Sequence, residues 1–218
     1  MLKKPNAILF DLDGTLLDTA KDLGNALNQI LSTLGRPTVA HDTYRNIASD
    51  GAKGMLELGF GDDLKHFDFD KLRQQFLDYY ENNICVDTDY FIGVEQLLLT
   101  LNKKNVPWGI VTNKPEFLTL QLVTAFPLLE NCAVIISGDT LSERKPHPLP
   151  LLHAEEKFAL TAPNTWYIGD AERDIQSANA ANMISVIAQY GYISDKQQTD
   201  EWNADLSIHN PSDLLAYF

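Results

Sequence analysis

The sequence predicts an α/β fold, a Rossmann-like parallel sheet with helices on both faces, interrupted by an inserted α-helical cap. Two observations carry that expectation. Short, near-continuous apolar runs alternate with amphipathic stretches along most of the 218 residues, and the alternation stops between residue 18 and about residue 82. Near-continuous apolar runs suit strands covered on both faces, whereas half-exposed strands would alternate apolar with polar. The length agrees, since roughly 150 residues per domain leaves room for one core and a modest insertion.

The run Asn6-Ala7-Ile8-Leu9-Phe10 is the first strand, and it delivers Asp11 and Asp13. Ala20, Leu23, Leu27, Ile30, Leu31 and Leu34 then recur at helical spacing. Asp18 stands where an N-cap belongs, and Gly35 and Pro37 supply the stop. Ser49-Asp50-Gly51-Ala52-Lys53-Gly54 reads as a polar break between helices, and residues 59–63 read as a turn. Leu72, Phe76, Tyr79, Tyr80 and Asn83 continue a helical period after Asp70. With no strand pattern between these helices, residues 17–84 form the expected cap, and 1–16 with 85–218 the core. The core resumes with a helix over 94–101 and the strand Trp108-Gly109-Ile110-Val111. Further strands fall at 133–136, 165–168 and 184–187, and a short edge strand at 204–208. Trp166 and Tyr167 sit inside a strand and read as core. Two crossings between cap and core would allow a hinged lid.

Charge narrows the function. Thirty acidic against 17 basic residues give a net charge of −13. That balance repels nucleic acid and anionic membranes, which need a positive footprint. A phosphorylated metabolite would also be repelled unless a cation is concentrated locally. No apolar run approaches the roughly 18 residues of a membrane helix, and the stretch after Lys3 and Lys4 ends at Asp11, too short for a signal peptide. Cys85 and Cys132 form no C-x-x-C pattern and read as small hydrophobes in a reducing compartment. The expectation is a cytoplasmic protein, monomer or homodimer, with neither nucleic acid nor membrane as partner.

Polar residues follow the strands where chemistry is expected. In an open α/β sheet, ligands bind beyond the carboxyl ends of the strands. There lie Asp11-Leu12-Asp13-Gly14-Thr15, then Thr112-Asn113, then Gly169-Asp170 with Asp174 close behind. Arg144-Lys145-Pro146 falls between the last two and supplies local positive charge. Alternation sends Asp11 and Asp13 the same way, and two neighbouring carboxylates need a cation or a shared proton. Carboxylates, one lysine and one hydroxyl, with no cysteine or histidine cluster, suit Mg²⁺.

The ordered segments DLDGTLLDT, VTNK, RKPHP and GDAERD resemble the four motifs of the haloacid dehalogenase superfamily of phosphatases. They span nearly the whole chain, and the helical insert resembles that superfamily's α-helical cap. The resemblance implies a Mg²⁺-dependent phosphomonoesterase. Asp11 would be the nucleophile and form an aspartyl-phosphate. Asp13 would be the general acid and base. Thr112 would hydrogen-bond a phosphoryl oxygen with Asn113 beside it, and Lys145 would neutralise charge. Asp170 would ligate Mg²⁺ with Asp11 and the Asp13 backbone carbonyl, supported by Asp174.

Dehalogenases need no acid at position 13, so phosphate chemistry is favoured; a sugar phosphomutase needs the same four motifs. Lys145-Pro146-His147-Pro148 and Tyr190-Gly191-Tyr192 resemble the phosphoglycolate phosphatase branch. The cap run 50–55 and the tail Trp202-Asn203-Ala204-Asp205 resemble N-acetylmuramic acid 6-phosphate phosphatases. Both substrates are small phosphorylated metabolites that carry a carboxylate, which Lys53 and Gly51 in the cap would read. A non-enzymatic receiver module could also use an acidic pair, a threonine and a lysine. It needs only about 120 residues and has no inserted cap.

Overall fold

The computed structural model of the chain describes residues 2–160, 164–194 and 197–218. Two compact units result, one from the segment ending at Leu17 together with Tyr90–Phe218, the other Asp18–Asp89.

The first unit is an α/β layer built on a six-stranded parallel sheet. Its strands are β1 (Ala7–Phe10), β4 (Trp108–Val111), β5 (Val134–Ile136), β6 (Thr165–Gly169), β7 (Ile184–Ala188) and β8 (Leu206–Ile208). They run in the order β5-β4-β1-β6-β7-β8, with β8 at the edge as expected. Two short strands, β2 (Leu17–Asp18) and β3 (Asp89–Tyr90), pair with each other where the chain leaves and re-enters this unit.

The helices of this unit are α5 (Val94–Lys103), α6 (Glu116–Ala125), α7 (Leu149–Lys157) and α8 (Glu172–Ala180). Because strand residues alternate sides, Leu9, Val111, Ile136 and Tyr167 share one face and pack under Leu151 and Ala154 of α7 and Ala178 of α8. On the other face Phe10 meets Trp108 edge-on, Trp166 meets Tyr217 edge-on, and the Trp108 indole N–H donates to Asn102 of α5. Both faces are therefore covered, which is why the strands could be written in almost unbroken apolar residues.

The second unit holds α1 (Ala20–Thr33), α2 (His41–Tyr44), α3 (Gly51–Phe60) and α4 (Phe69–Asn82). Leu23, Leu27, Ile30 and Leu31 of α1 and Leu72, Phe76 and Tyr80 of α4 are buried, one stripe from each helix. Asp68 caps α4 by accepting the Lys71 N–H at 3.1 Å. The buried Asp22 carboxylate on α1 accepts the N–H groups of Val86, Asp87 and Thr88 at 3.1, 3.0 and 3.1 Å and the Thr88 hydroxyl at 2.7 Å. One side chain thus fastens the segment that follows α4.

Two local expectations change. Thr19, not Asp18, is the residue immediately before α1, yet the Asp18 carboxylate still accepts the Ala20 N–H at 3.4 Å while its other oxygen receives Arg45 at 3.2 Å. The polar stretch 49–54 is not a loop. Residues 45–50 form a 3-10 turn, and Gly51, at φ +60°, passes directly into α3. A single glycine in the left-handed region redirects the chain without any intervening loop. Among the described residues no helix is long and apolar enough to cross a membrane. Cys85 and Cys132 are free thiols.

Candidate active site

The parallel register assembles the site. Phe10 lies level with Ile110 on one side and Ile168 on the other, so Asp11, Thr112 and Asp170 emerge from three neighbouring strands at the same sheet edge. The Asp11 N–H still donates to Ile168 at 2.9 Å and the Thr112 N–H to Ile136 at 2.9 Å. Both residues are therefore held by the sheet ladder itself, and their side chains begin from rigid backbone.

Lys145 is the hub. Its side chain is buried, with Nζ 3.0 Å from the Asp11 Oδ1, 2.8 Å from the Asp174 Oδ1 and 2.6 Å from the Tyr167 hydroxyl. The Tyr167 O–H in turn donates to the Val111 carbonyl at 2.8 Å. Burial, followed by the nearby Asp174 and Asp11 charges, pushes the Tyr167 phenol well above its ordinary range, so it stays protonated in that chain. The second Asp174 oxygen accepts the Ala171 N–H at 3.0 Å, which anchors the start of α8. The Lys145 backbone is held as well. Asn113 donates through its amide to the Lys145 carbonyl at 2.9 Å and accepts the Lys145 N–H at 3.1 Å. Asn113 thereby holds Lys145 in place, using its amide oxygen and one of its two amide N–H groups.

Burial governs the charge on Asp11. Only 4% of the residue is exposed, and desolvation raises its pKa from 3.8 to about 6 against the opposing pull of Lys145. Asp174 pushes in the same direction as burial. Asp11, Asp170 and Asp174 are all buried, with one carboxylate oxygen from each lying within 4.8 Å of the others. Three carboxylates share one lysine in direct contact, with Arg173 adding a more distant positive charge, and an all-oxygen donor set of this kind fits a hard divalent cation.

Asp170 sits in a glycine cradle. A Cβ on Gly14, whose φ is +80°, would fall 2.1 Å from the Asp170 Oδ2, and one on Gly191 would fall 2.3 Å from the Asp170 Cβ. The same Oδ2 accepts the Tyr192 N–H at 2.9 Å. Tyr190 and Tyr192 then reach back to the carbonyls of Thr15 and Leu17 at 3.1 and 3.4 Å, with the Phe91 ring against both. The loop after β7 therefore closes over the loop that carries the two aspartates.

Thr112 accepts the Lys114 N–H through Oγ1 at 3.2 Å, which leaves its hydroxyl proton available to donate outward. Lys114 reaches Asp13, with Nζ at 3.0 and 3.3 Å from the two carboxylate oxygens. Neither Lys114 nor Tyr167 stood out in the sequence. Lys114 closes the VTNK segment without a role of its own, and a tyrosine inside an apolar strand reads as core. The cap candidates belong to the second unit. Gly51 opens α3, and Lys53 on its first turn is 73% exposed and lies 3.8 Å from Glu57.

A parallel sheet with its acids at the carboxyl ends of neighbouring strands, one buried lysine joining two of them, defines the class. The chain belongs to the haloacid dehalogenase-like hydrolase family, whose family model matches residues 8–188. Within that family it is an enzyme of the phosphatase kind. It is similar to a phosphoglycolate phosphatase of Xanthomonas campestris pv. campestris, 41% identical over 98% of this chain and 96% of that protein. An N-acetylmuramic acid 6-phosphate phosphatase of Pseudomonas putida is 35% identical over 95% of this chain and 93% of its own length. Among solved structures, that of a predicted phosphoglycolate phosphatase from Haemophilus somnus 129pt superposes with a TM-score of 0.87 at 26% identity, covering 99% of both chains. Membership of this family replaces the receiver-module alternative.

Proposed function

We propose that the chain is a Mg²⁺-dependent phosphomonoester hydrolase that carries the phosphoryl group on Asp11 and acts on 2-phosphoglycolate. The observation that carries the reading is the buried Lys145, bound at once to Asp11 and Asp174. It holds the Asp11 carboxylate in one orientation at a strand end, as in-line attack on phosphorus requires.

The reaction runs in two displacements. As an Asp11 oxygen bonds to phosphorus, the ester P–O bond breaks, and its electron pair goes to the leaving oxygen, which takes a proton from the Asp13 carboxyl group. Water then attacks the phosphorus and gives a proton to the Asp13 carboxylate. The bond to Asp11 breaks, releasing phosphate and restoring both residues. Thr112 donates its hydroxyl proton to a non-bridging oxygen throughout. Lys145 balances the charge that builds on the phosphoryl group. Asp11 and Asp170, with the Asp13 carbonyl, would hold Mg²⁺, whose charge polarises the phosphoryl group. Asp174 is within reach of the same position, but its oxygens already serve Lys145 and the Ala171 N–H. Its role is to set Lys145.

The choice of 2-phosphoglycolate rests on the 41% identity to phosphoglycolate phosphatases. Lys53 in the cap is the residue we assign to the substrate carboxylate. The 35% identity to N-acetylmuramic acid 6-phosphate phosphatases supports a second reading, in which the same carboxylate belongs to a sugar acid. The net charge of −13 and the two free thiols suit action in the cytoplasm. Steady-state kinetics with Mg²⁺ on 2-phosphoglycolate, N-acetylmuramic acid 6-phosphate, hexose phosphates and nucleotides decide among these. The highest kcat/KM belongs to 2-phosphoglycolate on the first reading and to the sugar acid on the second. No phosphate release from any of them would reject both.

A further inference from the structure

We propose that Lys114 is a positioning residue of the reaction, holding the Asp13 carboxyl group where it meets the leaving oxygen. The inference rests on the reading of Asp13 as general acid and extends it to the lysine that ends the VTNK segment.

Three observations support it. The Lys114 ammonium faces both Asp13 oxygens, at 3.0 and 3.3 Å, so it fixes the plane of the group and supports the carboxylate that forms as the proton leaves. Its side chain is only 5% exposed, against 16% for Asp13. A lysine extended to solvent gains little from such a pair, because water screens it and its own rotamers oppose it; one enclosed to this degree loses less on both counts. The Lys114 backbone is also built for the task. Its N–H donates to the Thr112 Oγ1 at 3.2 Å, and its carbonyl accepts the Gly138 N–H at 2.9 Å. A Cβ on Gly138 would lie 2.2 Å from the Asn113 carbonyl oxygen, so only glycine lets the two loops approach this closely. The residue expected to touch the phosphoryl group and the residue that holds the acid are therefore parts of one tight turn. Thr112 and Lys114 set phosphoryl group and proton donor relative to each other.

The consequence is a dependence on the leaving group. An alkoxide must be protonated as the P–O bond breaks, whereas a nitrophenolate leaves without help. Disturbing the acid should therefore harm alkyl phosphates far more than activated aryl phosphates, while a general loss of fold harms both equally. The experiment compares kcat/KM for 2-phosphoglycolate and 2,4-dinitrophenyl phosphate in the parent, Lys114→Met, Lys114→Arg, Asp13→Asn and the Lys114→Met/Asp13→Asn double variant. This parameter reports steps only through the first irreversible one, so slow breakdown of the phosphorylated enzyme does not mask the effect.

General acid catalysis contributes about 10²–10⁴-fold. In Lys114→Met the ratio of alkyl to aryl kcat/KM should fall by about tenfold or more, Lys114→Arg should restore part of it, and the double variant should resemble Asp13→Asn alone. Equal loss on both substrates in Lys114→Met, or full additivity in the double variant, would overturn the inference while leaving Asp13 in its role. An unchanged ratio in Asp13→Asn itself would instead reject the general-acid reading.

Discussion

Asp11→Asn in the metal-free protein should make the fold more stable while removing its activity. The Asp11 carboxyl group is driven up from 3.8 to about 6 by burial, and each pKa unit is worth about 1.4 kcal/mol. Keeping Asp11 ionised above pH 6 therefore costs the folded state about 3 kcal/mol relative to the unfolded chain. The sign follows from protons bound. Between pH 3.8 and about 6 the native state holds the proton and the unfolded state releases it, so stability from this group is full below pH 3.8 and is lost as the pH rises through 6. Asparagine carries no such cost. Lys145 keeps Asp174 and Tyr167 as partners, and its pull on Asp11 is already contained in that figure. The gain at pH 7.5 in EDTA is about 3 kcal/mol, which for a chain of this size is a rise in melting temperature of roughly 6–12 °C. Thermal melts of both proteins in EDTA from pH 5 to 8 measure it, with the gap widening up to pH 6 and flat beyond. A variant less stable than the parent at pH 7.5, or a gap that ignores pH, would refute the assignment of the cost to buried charge.

Three further outcomes follow from particular contacts. Gly14→Ala forces a side chain into a left-handed backbone and onto the Asp170 carboxylate; the Mg²⁺ concentration giving half-maximal activity should rise by about tenfold or more, with a stability loss of about 1–3 kcal/mol. Asp22→Ala strips the acceptor from three backbone N–H groups and one hydroxyl at residues 86–88; about 3 kcal/mol should be lost in denaturant unfolding. Lys53→Ala removes an exposed 3.8 Å contact with Glu57, so the melting temperature should stay within about 2 °C of the parent. The kcat/KM ratio of 2-phosphoglycolate to p-nitrophenyl phosphate should nevertheless fall, and an unchanged ratio would move substrate choice away from this helix.

The sheet and the residues at its strand ends were legible because they depend on short-range rules. An apolar run of four or five residues marks a buried strand, and parallel topology brings Asp11, Thr112 and Asp170 to one edge without further information. What stayed hidden depends on register and side-chain reach. Tyr167 belongs to the apolar face by position, and only its neighbours on β4 and the Lys145 loop turn its hydroxyl into part of the site. Asn113 has the composition of a phosphate ligand, and only the fold shows that its amide also clamps the Lys145 backbone. Lys114 pairs with a residue 101 positions earlier in the chain, a distance no local pattern spans. In the cap, a polar glycine-containing stretch suggests a loop, but Gly51 turns the chain and α3 begins at once.

Whether Asp11 itself carries the phosphoryl group is tested most directly by rapid acid quench during turnover of 2-phosphoglycolate with Mg²⁺, followed by peptide mass spectrometry. Residues 4–21 form one tryptic peptide, since the Lys4–Pro5 bond resists trypsin, and it includes Asp11 and Asp13. A phosphoryl group should appear on that peptide within the first turnover, map by fragmentation to Asp11, and be removed by hydroxylamine as an acyl phosphate. A phosphoryl group on any other residue, or none on this peptide while phosphate is being released, would contradict Asp11 as the nucleophile.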